Sequence, residues 1–241
     1  MNKLAFIFLL FSLFTSTFAQ QTSNIELPYI KPGEAVTSHT GFTLLYNQQH
    51  KQASWVAYKL TQSQTNKQHQ RKNNFKADPK ITSNTDFSND YKSSGYDRGH
   101  LCPAADMAWS EATMSESFYY SNMSPQEPSF NRGIWKELET LVRSWAITEK
   151  EIYIVTGPVL TSSIGSIGTN KITIPKYYYK VIYAPSQNKM IALVLPNQKS
   201  DKSLQTYVIT VDSLESLTNI NFFPTLPDSL ESQIQITKFN W

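Results

Sequence analysis

The sequence predicts a mixed α+β fold, a largely antiparallel central sheet with flanking helices. Three observations predict it. Several short segments are rich in aromatic and β-branched residues and read as strands. One longer stretch, Ile134 to Trp145, carries apolar residues at helical spacing. Strands and helices do not alternate regularly, which argues against a parallel sheet built from βαβ units. No internal repeat and no internal boundary marks a second domain, so one domain over residues 20–241 is expected.

In chain order, the first residues stand apart. Lys3 is followed by an almost wholly apolar run from Leu4 to Phe14, and Thr17-Phe18-Ala19 then offers small residues at the positions that a signal peptidase reads. This three-part pattern predicts a secretory signal peptide over residues 1–19 and a protein that is secreted or periplasmic, with no membrane contact after cleavage. An uncleaved anchor is the competing reading, although the apolar run is short for a membrane span. Residues 20–52 are mixed and carry a turn at Gly33. Trp55 to Leu60 reads as a strand. Residues 61–76 have no periodicity and contain Lys67, Arg71, Lys72 and Lys76 but no acid. They form a solvated loop, and a cationic loop can also hold phosphates. Ile134, Trp135, Leu138, Leu141, Val142 and Trp145 mark the helix, with Asn131 near its start and Gly133 in its first turn. Glu151 to Thr156, Tyr177 to Tyr183, Met190 to Leu195 and Tyr207 to Val211 are further strands, and Pro185 to Lys189 suits a hairpin connection.

Composition narrows the chemistry. Charged residues make up 17% and apolar residues 40% of the 241-residue chain, which excludes a disordered polyelectrolyte. Lys and Arg number 22 against 19 Asp and Glu, a net charge of +3, so any attraction to a polyanion must be local. One cysteine excludes a disulfide framework and a thiolate zinc cluster. Cys102 has no partner for a disulfide and sits among apolar neighbours, so it is expected to be a small buried hydrophobe, with a reactive thiol as the competing reading. Four histidines leave little room for a multi-histidine metal cage.

Polar groups with chemical potential concentrate between residues 97 and 139. Asp97-Arg98-Gly99-His100 joins a histidine that can take a proton from water at neutral pH to an arginine that can hold an anionic phosphate. Asn122 stands before Ser124-Pro125, where it is equally well a turn former. Asn131, Trp135 and Glu139 are spaced by four and lie on one drifting ridge if all are helical. Asn131 and Glu139 would then be about 12 Å apart along the axis, too far to touch one ion directly. A carboxylate could still reach the water shell of an ion held by the asparagine, and magnesium keeps such a shell. A helix cap for Asn131 and a solvent-facing Glu139 are the plainer alternatives.

Taken together, Asp97-Arg98-Gly99-His100, Asn122 and Asn131-x-x-x-Trp135-x-x-x-Glu139 resemble the signature of the DNA/RNA non-specific endonucleases, the ββα-metal nucleases. Trp55 to Tyr58, Thr156-Gly157-Pro158, Ile174-Pro175 and Leu217 with Phe222-Phe223-Pro224 resemble further landmarks of that family, in its order, so the match spans most of residues 50–227. The resemblance implies a ββα-metal active site and a divalent-metal-dependent enzyme that hydrolyses phosphodiester bonds of DNA and RNA. It implies His100 as general base, Asn131 as the protein ligand of Mg2+ or Mn2+, and Glu139 as the carboxylate that holds metal-bound water. Arg98 and Asn122 match positions that support the phosphate and the geometry of the site. Arg71, with Lys72 able to share its role, matches an upstream phosphate-binding arginine. A homodimer is a partner that the resemblance admits. A protein of this fold that binds nucleic acid without cutting it, a phosphodiesterase of small nucleotides and a structural β-rich protein are the competing functions.

Overall fold

A computed structural model describes residues 24–83 and 86–227. The expected signal peptide at residues 1–19 lies outside them. The chain runs through β1 (Thr37–Ser38), β2 (Thr43–Asn47), β3 (Gln52–Thr61), α1 (Ser88–Tyr91), β4 (Asp97–His100), α2 (Glu111–Glu116), β5 (Met123–Gln126), α3 (Pro128–Asn131) and α4 (Ile134–Glu149). It continues through β6 (Glu151–Pro158), β7 (Ser163–Ile167), β8 (Ile172–Pro175), β9 (Tyr177–Ala184), β10 (Lys189–Pro196), β11 (Val208–Ile209) and α5 (Val211–Thr218). Seven strands form one sheet in the order β1-β2-β3-β6-β9-β10-β11. Every pairing in it is antiparallel, as the sequence predicts.

Both faces of the sheet are buried, and this explains the apolar strands. Alternate residues of β3, β6 and β9 divide between two cores. Val56, Tyr58, Leu60, Ile152, Ile154, Tyr178 and Ile182 pack against Ile134, Trp135, Leu138 and Val142 of α4. Trp55, Ala57, Tyr153, Val155, Tyr179, Val181 and Tyr183 pack on the opposite face against Val211 and Leu214 of α5 and against Phe222 and Phe223. Each fully buried large apolar side chain contributes roughly 1.5–3 kcal/mol. Cys102 is buried in the first core, as expected of a small hydrophobe. Among the described residues no helix is long and apolar enough to cross a membrane.

Three local expectations need correction. The single helix with Asn131 at its start is two: α3 ends at Asn131, and α4 begins at Ile134 behind Gly133. A Cβ at Gly133 would stand 2.3 Å from the Ser129 carbonyl oxygen, so glycine permits the tight step between them. Asn131, Trp135 and Glu139 therefore do not share one continuous ridge. The strand expected over Tyr207 to Val211 shrinks to Val208–Ile209, because the Thr210 side chain accepts from Ser213 N and caps α5. The mixed stretch 20–52 contains β1 and β2.

Candidate active site

A small hairpin and the helices after it stand on the α4 side of the sheet. β4 pairs with β5 in antiparallel register, with Asp97 opposite Gln126 and His100 opposite Met123. Gly99 lets the strands close, since a Cβ there would lie 2.2 Å from the Gln126 side chain. Glu127 then caps α3 by accepting from Phe130 N, with Pro128 in the first turn. Two strands followed by helix bring His100, Arg98 and Asn131 into one small unit.

His100 is 7% exposed. The Phe118 ring stands perpendicular to its imidazole with ring centroids 4.9 Å apart, and the Phe75 centroid is 6.0 Å away. Its Nε2 is buried without a partner. Burial, and after it the charge of Arg71, pushes its pKa down to about 3. The imidazole is thus neutral at working pH and able to accept a proton, while the same burial opposes the imidazolium that results.

The backbone after His100 is clamped by Asn122. The Asn122 Oδ1 accepts from Cys102 N at 2.9 Å, and its Nδ2 donates to Cys102 O at 2.9 Å and to Ser117 O at 2.8 Å. Leu101 N also donates to Asn122 O at 3.0 Å. The Asn122 amide is therefore spent on backbone. It supports the geometry around His100, and the expectation that it also supports the phosphate has no free polar atom behind it.

Asn131 is held from the opposite side. Its Nδ2 donates to Asp97 Oδ2 at 2.8 Å, and Arg132 reaches the same carboxylate with Nε at 2.8 Å and Nη2 at 2.6 Å. Burial alone would raise the Asp97 carboxyl, but the bonds from Arg132 and Asn131 outweigh it and keep its pKa below the usual range. With Nδ2 committed to Asp97, the amide is fixed in one orientation and Oδ1 is the atom that could face a cation. A hard oxygen with carboxylate support behind it fits Mg2+ or Mn2+.

Glu139 is half-buried in α4. Burial pushes its pKa up to about 7, Asp106 adds to this, and Lys180, Arg143 and Arg71 oppose it. Arg98 lies over two rings, with its Cζ 5.1 Å from the Phe75 centroid and 5.7 Å from that of Tyr91. Its Nη2 donates to Ser88 O at 3.2 Å, while Nε is buried and unpartnered. Arg71 stacks with its Cζ 5.0 Å from the centre of Phe118, the ring that His100 also touches. Lys72 turns away and pairs with Glu111. Of the two upstream cations, Arg71 joins the cluster and Lys72 does not.

Sequence reasoning missed the charged groups beneath the site. Lys180 of β9 is fully buried, donates to Leu101 O at 3.3 Å and Thr156 Oγ1 at 3.1 Å, and lies 4.7 Å from the Trp135 ring centre. Burial pulls its pKa down. Asp106 accepts from Tyr58 OH and from Arg143 Nη1, both at 2.8 Å. Two of them left a trace in the sequence that does not say where they pack: Lys180 interrupts an apolar and aromatic strand, and Arg143 follows Glu139 by one helical turn, while Asp106 left none.

Fold and site define a phosphodiester-cleaving nuclease of the ββα type. The sequence model described as DNA/RNA non-specific endonuclease matches residues 21–229, and the chain belongs to that family. It is 30% identical over 216 residues to mitochondrial endonuclease G of Homo sapiens, covering 82% of this chain and 73% of that protein. It is 32% identical over 211 residues to a nuclease of Nostoc sp., covering 80% and 76%. A third relative, nuclease C1 of Cunninghamella echinulata, is 32% identical over 224 residues, 83% of this chain and 88% of that one. A solved chain from the crystal structure of the EndoG/EndoGI complex superposes with a TM-score of 0.76 at 30% identity, covering 88% of this chain and 92% of that one. The protein is an endonuclease, and metal dependence is typical of its family.

Proposed function

We propose that this endonuclease is exported, cuts both DNA and RNA, and works with Mg2+ or Mn2+ held by Asn131. The observation that carries the mechanism is the pairing of a buried, neutral His100 with an Asn131 amide fixed by Asp97. His100 takes the proton of the water that attacks phosphorus. Arg98 and Arg71 bring positive charge to the phosphate oxygens, and their stacking on Phe75 and Phe118 fixes the guanidinium planes. Asn122 keeps the backbone beside His100 in place. Glu139 would orient water around a cation bound there. The bound cation would offset negative charge gathering on the phosphate and the departing oxygen. Contacts to phosphate and sugar carry no sequence information, which supports weak base preference.

Digestion of plasmid and of RNA, by wild type beside His100→Ala and with or without chelator, tests this reading. Wild type should cut both with Mg2+ and neither in chelator. His100→Ala should lose cleavage while retaining nucleic-acid binding in a shift assay. A fully active His100→Ala protein would sink the mechanism, and undiminished cleavage in chelator would reject the metal. Export rests on the pattern of residues 1–19. A secreted or periplasmic protein whose first residue is Gln20 is the expected product, and retention of residues 1–19 on the exported chain would reject it.

A further inference from the structure

We propose that a cavity beside the catalytic cluster seats one nucleobase of the substrate strand, close to the phosphate that is cut. The proposal rests on the nuclease reading above. The cavity, about 520 Å³, lies between the cationic loop after β3 and the segment leading into α2. Its floor is apolar: Ala104, Ala108 and Met114 are each 2% exposed and offer no side-chain hydrogen bond. Its rim is cationic, with Lys67 and Arg71 exposed at the opening. The loop wall is tied down, because Gln68 N and His69 N both donate to Ala108 O, at 2.9 and 3.0 Å.

Arg71 makes the cavity continuous with the site. It lines the cavity, it stacks on the Phe118 ring that His100 touches, and its charge acts on both His100 and Glu139. A ligand anchored there by a phosphate on Arg71 has its next flat, weakly polar group directed over the alanine floor. In a nucleic acid that group is a base. A phosphate has no use for an apolar floor, and an apolar ligand has none for Lys67 and Arg71. The alanines offer no hydrogen bond to the edge of a base, so the floor does not distinguish one base from another, as a non-specific enzyme requires. Entry into the cavity takes the base out of its stack, so single-stranded and frayed segments should be cut faster than rigid duplex.

The test uses the wild-type protein, Mg2+ and end-labelled oligothymidylates, each carrying one abasic residue at a different position. The expected pattern is a loss of about tenfold in cutting at one fixed offset from the abasic residue, with other bonds unaffected. A uniform pattern overturns the proposal and leaves contacts to the backbone alone. Failure to cut the unmodified oligothymidylate would instead count against the nuclease reading. Ala105 lines the same cavity and is half-buried, so Ala105→Trp fills it. In that variant the abasic dip should vanish, since the intact base has lost its seat, and a dip of unchanged depth would also overturn the proposal.

Discussion

Asp97 fixes the Asn131 amide, and burial sets the protonation of His100 and Glu139. Asp97 holds the Asn131 amide through a 2.8 Å bond, so Asp97→Ala should free the amide to rotate. Removal of such a supporting partner weakens metal affinity by about 10–100-fold. Activity measured against Mg2+ concentration should therefore shift to higher Mg2+ by that factor, with much of the maximal rate recovered at saturation. An unshifted Mg2+ curve would show that Asn131 does not need Asp97. Glu139 adds a pH effect of defined sign. Its pKa is pushed up to about 7, so its carboxyl is largely protonated below neutrality and ionised above it. A hydrated divalent ion favours the carboxylate, so binding must displace the proton. Apparent Mg2+ affinity should rise from about pH 6 to about pH 8 in wild type and stay flat in Glu139→Gln, which has no proton to give up. Calorimetry in two buffers of different ionisation heat reads the released proton directly. His100 cannot mimic this, because its pKa near 3 leaves it neutral across the range.

At the scale of elements, the turn that carries Asn122 locks the chain leaving β4. Asn122→Ala removes bonds to Cys102 N, Cys102 O and Ser117 O and leaves buried backbone groups without partners. The cost should be roughly 2–4 kcal/mol, near the lower end of the sum for three such bonds. For a chain of this length that lowers the melting temperature by roughly 5–15 °C. The rate of bond cleavage should fall more than substrate affinity does, since the backbone beside His100 loses its clamp while the arginines remain. A thermal melt and a split of kcat from KM check both parts. The same elements show which parts of the fold were visible from sequence. β3, β6, β9 and β10 are buried on both faces and so read as apolar runs, and α4 announces itself by its stripe. The β7–β8 hairpin has four exposed residues in Ser163–Ile167 and no such pattern. Within the site, the residues clustered in sequence were legible because a hairpin and the helices after it are local structure. Lys180 and Asp106 were not, because β9 and the segment before α2 meet Glu139 only after the sheet has formed. The ridge linking Asn131 to Glu139 failed at Gly133, where the clash with Ser129 decides the geometry and the spacing rule does not.

For the molecule as a whole, a net charge of +3 argues that nucleic acid is held by a few local contacts and not by a broad basic face. Salt dependence tests this, because each cation that neutralises a phosphate of duplex DNA adds about −0.9 to the slope of log affinity against log salt. Lys67 and Arg71 line the proposed base cavity and Arg98 stands beside His100 on β4, so kcat/KM on duplex DNA at fixed Mg2+ should fall with a slope of about −3 if all three meet phosphates. A slope near zero would deny these contacts, and one near −10 would mean many more phosphate contacts than these three cations can make. Single substitutions then sort the cations. Lys67→Ala should make the slope shallower by about one unit. Lys72→Ala should leave it unchanged, because Lys72 already spends its charge on Glu111. If Lys72→Ala flattens the slope as much as Lys67→Ala does, the Glu111 pair opens when nucleic acid binds, and Lys72 shares the role of Arg71 after all.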